Sequence, residues 1–288
     1  MKPNRYHLIA LIIIVIWGTT FVSTKLLLFN GLLPKDIFFY RFLLAYVGIW
    51  FFGKTPLFSG SLKDELLLLL MGIFGGSLYF ITENTALGIT LTSNVALLVC
   101  TAPMFTAIFS RLFLKDEKQN RYLWQGLLLA FSGVAFVVFN GHFILQINPA
   151  GDLLSLSAAL SWTFYIILLK RLGARYSTLF ITRKVFFYGL LTMLPLLTVQ
   201  PLNTEMSVLL RPVVWGNLLY LGIAASLLCF FFWNMVVKKL GAVRTTNLGY
   251  IVPLVALLSS AILLDEPVTW AALVGAALIL SGVVLAER

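Results

Sequence analysis

The sequence predicts an all-α membrane protein: ten transmembrane helices forming two inverted five-helix repeats, with N-terminus and C-terminus both inside. Three observations carry this. Hydrophobic residues make up 60% of the chain and charged residues only 11%, where a soluble domain carries roughly a quarter charged. Apolar runs near membrane-spanning length follow one another with short connectors, and the chain resembles itself at a shift of about 150 residues.

Taken in order, the runs lie at 8–28, 36–53, 66–88, 91–113, 122–139, 151–170, 178–199, 212–237, 243–264 and 270–286. Each approaches the roughly 20 apolar residues that a helix needs to span lipid, where a backbone amide finds a partner only in its own helix. The first follows Lys2 and Arg5 as a signal peptide would, but it is long and holds Trp17 and Lys25, so it reads as a permanent helix. The longer connectors, 53–65 and 140–151, leave no room for a soluble domain. Cys100 and Cys229 fall inside spans of different halves and read as small buried hydrophobes.

The net charge of +10 is explained by orientation rather than by nucleic acid. With the N-terminus inside, Lys2, Arg5, Lys54, Lys63, Arg111, Lys115, Lys118, Arg121, Lys170, Arg171, Arg175, Arg183, Lys184, Lys238, Lys239, Arg244 and Arg288 all gather on the cytoplasmic side. Lys25, Lys35, Arg41 and Arg211 fall toward the other.

The repeat is read from shared order. GIFGGSLYF (72–80) matches GIAASLLCF (222–230), Asn84 matches Asn234, and Pro103 matches Pro253. After a one-residue gap Asp116–Glu117 meets Asp265–Glu266, Gly126 meets Gly275, and SGV (132–134) meets SGV (281–283). At smaller offsets Trp17, Lys25 and Arg41 meet Trp162, Lys170 and Arg183. Two units follow, 1–140 and 148–288. Five spans per unit is an odd number, so the second unit enters the membrane inverted, as in alternating-access carriers.

The motifs WGTTFV (17–22), YRF (40–42), AP (102–103), LKDE (114–117) and QGLLLAFSGVAFV (125–137) recur in altered form as SWTFY (161–165), VP (252–253), LLDEP (263–267) and VGAALILSGVVLA (274–286). Together they resemble the ten-helix EamA family of the drug/metabolite transporter superfamily. The resemblance implies a basket-like bundle in which helices 1, 3, 4, 6, 8 and 9 surround a central cavity while helices 5 and 10 flank it. It also implies a secondary transporter in a bacterial inner (plasma) membrane, exporting amino acids or other small metabolites. Related branches move drugs and cations, sugars or sugar phosphates, and a monomer is compatible with the architecture.

Candidate cavity residues are Trp17 and Thr20 on helix 1, Tyr79 and Asn84 on helix 3, Asn94 on helix 4, Trp162 and Tyr165 on helix 6, and Asn247 and Tyr250 on helix 9. Helical spacing puts Trp17 with Thr20, Tyr79 with Glu83, and Asn247 with Tyr250 on common faces. Such residues stack on and hydrogen-bond a small solute, although tryptophan and tyrosine also anchor spans at the lipid interface. Ionisable groups in a bilayer cost about 2.5–3.5 kcal/mol each on insertion scales. Glu83, Arg41 and Lys25 share one depth and are candidates for coupling or an outer gate. Glu83 reads three ways: a proton-coupling carboxylate, a receptor for a substrate ammonium, or one side of a structural ion pair.

Pro103 and Pro253 interrupt equivalent helices near their middles, which makes them candidate hinges beside the central site. An enzyme is disfavoured, because His7 and His142 lie far apart and no metal-ligand spacing or phosphate loop occurs. A channel is disfavoured because no helix carries a full polar stripe. No cofactor is expected, and protons are a candidate coupling ion.

Overall fold

The computed structural model describes residues 5–90, 92–114, 121–139, 148–202, 205–263 and 268–287. The acid pairs at 116–117 and 265–266 and His142 lie outside these residues, and so do the side chains of Lys25 and Asn94. All regular structure among the described residues is helical.

Helix α1 runs Arg5–Phe29 and turns at Gly31, whose φ of 94° suits glycine. Helix α2, Pro34–Ile49, starts with proline at its first turn, and the Asp36 carboxylate accepts from the Leu33 amide at 2.9 Å. Its buried Lys35 is held at 2.9 Å from Asp36 and 2.7 Å from the Pro201 carbonyl. Helix α3 covers Leu62–Ile89 with a π turn at Ile73–Ser77. Helix α4 covers 92–113 in two pieces, Thr92–Val99 and Ala102–Phe113. Helix α5 is Leu123–Phe139. Helix α6, Pro149–Gly173, is capped by Asn148, which accepts from the Gly151 amide at 3.1 Å. Helix α7, Thr178–Val199, is capped likewise by Ser177. Helix α8, Pro212–Leu240, carries a π turn at Tyr220–Leu228 and ends at Gly241, with φ 97°. Helix α9 covers 242–263, interrupted by the 3-10 turn Gly249–Ile251. Helix α10 is Trp270–Glu287.

Seven of these, α1, α3, α4 and α6 to α9, are long and apolar enough to cross a membrane. The other three expected spans fall short of that measure. Helix α5 and residues 270–286 of α10 are apolar but shorter. Helix α2 has 16 residues, because the chain leaves it at Trp50–Phe52 as a 3-10 turn instead of continuing to 53.

The packing interleaves the two halves of the chain. Helix α1 lies against α8 and α9, and α6 against α3 and α4. In the same way α2 packs on α8, and α7 on α3. The pairs α2–α7, α4–α9 and α5–α10 join the two sets. Helices α5 and α10 run antiparallel, since Gly126 faces Gly282 and Ala286 while Gly133 faces Gly275 and Ile279. A Cβ at Gly126 would lie 2.5 Å from the Ala286 amide nitrogen, so the two backbones touch through small residues. In lipid such close van der Waals contact, not water release, holds helices together.

The two π turns fall on the matched stretches 72–80 and 222–230. A π turn opens the backbone ladder, and in each helix a side chain from the other half reaches a carbonyl there. Trp17 Nε1 donates to the Ala225 oxygen at 3.0 Å, and Ser161 Oγ donates to the Phe74 oxygen at 2.8 Å.

Candidate functional site

An aromatic cluster occupies the middle of the bundle, where helices from both halves meet. Trp17 of α1 contacts Trp162 of α6 edge-on with ring centroids 5.6 Å apart, and lies 4.8 Å from Trp233 of α8. Trp162 in turn meets Tyr79 of α3 at 5.4 Å, Tyr165 at 5.1 Å and Phe230 at 5.9 Å. Thus Trp17, Tyr79, Trp162 and Tyr165, expected together from the sequence, do come together. Trp17 and Trp162 are half-buried in this cluster, and Thr20 spends its hydroxyl on the Trp17 carbonyl at 2.6 Å.

Beside the cluster, about 9 to 11 Å in from the helix ends by rise per residue, lie two charges. Glu83 on α3 is half-buried, and its Oε1 accepts from the Tyr79 hydroxyl at 2.8 Å. Arg41 on α2 is buried, with Nε donating to Ser226 Oγ at 2.8 Å and the guanidinium lying 4.6 Å over the Phe80 ring. The Arg41 guanidinium thus lies over a residue one helical turn before Glu83 on α3, yet the two charges form no contact ion pair. Among the described residues Glu83 Oε2 and the terminal nitrogens of Arg41 have no partner.

The other candidates separate. Asn84 is buried on α3. Asn247 is buried toward α10, with Nδ2 3.4 Å from the Val283 oxygen and Oδ1 unpartnered among the described residues. Tyr250 is fully buried, its hydroxyl unpartnered among the described residues. Both prolines are buried in the first turn after a break: Pro103 follows Thr101, and Pro253 follows the 3-10 turn. The Thr163 hydroxyl of α6 lies 2.9 Å from the Ala159 oxygen of its own helix and 3.2 Å from the Ala102 oxygen at the first break, its one proton shared between them.

Sequence reasoning missed several neighbours. Trp233 of α8 lies in the aromatic cluster against Trp17. Asn234, the match of Asn84, accepts from Tyr165 and donates to Thr182 at 2.9 Å, linking α6, α7 and α8. Arg183, the match of Arg41, instead donates to the Thr55 and Pro56 carbonyls and stacks over Trp50. Near it Lys184 and Tyr188 donate to Glu65, while Arg175 and Tyr176 donate to Asp64. A separate apolar groove of about 260 Å³ between α1 and α8, lined by residues such as Ile9, Ile13 and Phe232, offers nothing polar to a solute. No group of three or more potential metal ligands occurs among the described residues.

Comparison with known proteins adds a family and a fold. The model of the EamA-like transporter family matches twice, at residues 4–139 and 149–287. An "Uncharacterized transporter" of Archaeoglobus fulgidus is 26% identical, covering 98% of this chain and 97% of its own. Proteins named "Probable amino-acid metabolite efflux pump" in Salmonella typhimurium and Escherichia coli are 29% and 27% identical, each match covering 95% of this chain and 92% of theirs. A solved crystal structure matches with a TM-score of 0.80 at 19% identity, covering 98% of this chain and 96% of its own, and so shares the fold.

Proposed function

Because the chain belongs to the EamA-like transporter family, whose members are transporters and not enzymes, we propose that it exports amino acids or closely related small metabolites. The mechanism is alternating access by ten membrane helices in two inverted repeats around a central site, N-in and C-in, in a bacterial inner membrane. The observation that carries this is the exchange of helices between halves, α1 and α2 onto α8 and α9, α6 and α7 onto α3 and α4. That exchange groups the helices into two mixed sets, each drawing on both halves, which can rock against one another.

Paired features support it. Matched π turns, matched breaks before Pro103 and Pro253, and the antiparallel α5–α10 seam are what a two-fold axis in the membrane plane would produce. Trp17, Tyr79, Trp162 and Tyr165 serve as the wall of the central site, and Glu83 and Arg41 as its outer gate or coupling group. The substrate class rests on the names of the two efflux-pump relatives. One observation favours a second reading, an organic cation: the Glu83 carboxylate stands next to a tryptophan and tyrosine cluster suited to cation–π contact.

The test is counterflow in proteoliposomes, with and without a pH gradient, over a panel of amino acids, organic cations and sugar phosphates. Saturable counterflow of an amino acid is the expected result. Flux of cations alone would replace the first reading with the second, and product formation without flux would overturn both.

A further inference from the structure

We propose that Arg41 and Glu83 are the two ends of a receptor for a zwitterion, Arg41 taking the substrate carboxylate and Glu83 its ammonium. This rests on the amino-acid reading above and gives that site its chemistry. The argument starts from what these two charges do not do. Opposite charges inside a bilayer ordinarily pair, since an unpaired one is costly. Here each is instead turned and held by a neighbour of its own. Ser226 fixes Arg41 through Nε and the Phe80 face supports the guanidinium. Tyr79 fixes Glu83 through Oε1.

What remains is complementary. The outer edge of Arg41 offers terminal N–H donors in the fork that matches a carboxylate. Glu83 Oε2 offers an acceptor to an ammonium. A solute with both charged groups on one carbon satisfies both ends at once, while a cation or an anion satisfies one and leaves the other unpaired inside the bundle. Tyr79, which holds Glu83, also packs on Trp162, so the third substituent of the solute meets an aromatic wall. The substrate class is therefore an α-amino acid with an apolar or aromatic side chain.

The test is a binding titration on the purified full chain in nanodiscs, read by tryptophan emission, because Trp17, Trp162 and Trp233 border the site. The probes are L-phenylalanine, L-phenylalaninamide, which lacks the carboxylate, and N-acetyl-L-phenylalanine, which lacks the ammonium. Wild type binds the free amino acid about 100-fold more tightly than either derivative, the loss expected when one charge-assisted hydrogen-bonding group goes unmatched. Glu83→Gln abolishes the preference over the N-acetyl compound only, and Arg41→Gln the preference over the amide only. Arg41→Lys, which keeps the charge, covers the case in which Arg41→Gln does not fold, and the wild-type series needs no variant. Equal binding of the three probes to wild type, or unchanged phenylalanine affinity in both variants, overturns the proposal while leaving amino-acid export standing. Absence of any amino-acid binding and counterflow overturns both.

Discussion

Replacing Gly126 by alanine tests whether the α5–α10 seam is set by backbone contact. The added Cβ would sit 2.5 Å from the Ala286 amide nitrogen and 2.6 Å from the Gly282 oxygen, against 3.4 Å for ordinary contact. Both are backbone atoms of a helix and cannot rotate aside, so α10 has to recede by about 1 Å or distort, as a close-packed interior demands. Overpacking of this kind costs about 1–3 kcal/mol. Alanine gains up to about 1 kcal/mol in helix propensity at any such site, so the control is Gly216→Ala in α8, where nothing lies within 4 Å of the new methyl. The two variants should then differ by about 3–10 °C in melting temperature for a chain of this size. The measurement is thermal unfolding in detergent followed with a thiol-reactive fluorogenic dye, in a Cys100→Ala background so that buried Cys229 reports alone. Gly126→Ala melting with or above Gly216→Ala would refute the close-contact argument. A second arm adds Gly282→Ala: one displacement relieves both clashes, so the double variant loses less than the two singles together.

Trp17→Phe removes the N–H that meets the Ala225 oxygen in the π turn of α8 and should destabilise by about 1–3 kcal/mol; a melting curve matching wild type would deny that contact any weight. Lys184→Met leaves Glu65 without its buried cation and should cost about 3 kcal/mol, with part recovered in the Lys184→Met, Glu65→Gln double variant; chemical unfolding reads both, and an unimproved double would count against the pairing. Pro103→Ala and Pro253→Ala restore an amide donor at each helix break, and counterflow should fall while the melting temperature holds; wild-type counterflow in both would end the hinge role.

How much of this was legible in the sequence differs from residue to residue. The long spans were readable because an apolar run is a local property. Helix α2 was overextended because its apolar tail, Trp50 to Phe52, continues past the point where the backbone tightens. The repeat was visible in letters, yet its π turns were not, since a wide turn carries no composition of its own. Gly126 and Gly275 could be matched as equivalents, but that Gly126 faces Gly282 follows only once α5 and α10 are antiparallel. Periodicity put Asn247 and Tyr250 on one face without naming the neighbour, which for Asn247 is α10. Trp233 was not placed with Trp17 because the two lie more than 200 residues apart in the chain.

The exchange of helices between halves has a consequence for biogenesis. When residues 5–139 have been inserted, α1 and α2 still lack the surfaces of α8 and α9 that they cover in the finished molecule, and α3 and α4 lack α6 and α7. The first half must therefore wait in the membrane, assembling late through contacts of long sequence separation. By the same logic the halves are natural complementation fragments: each made alone lacks its partners, and the two made together regain every one of them.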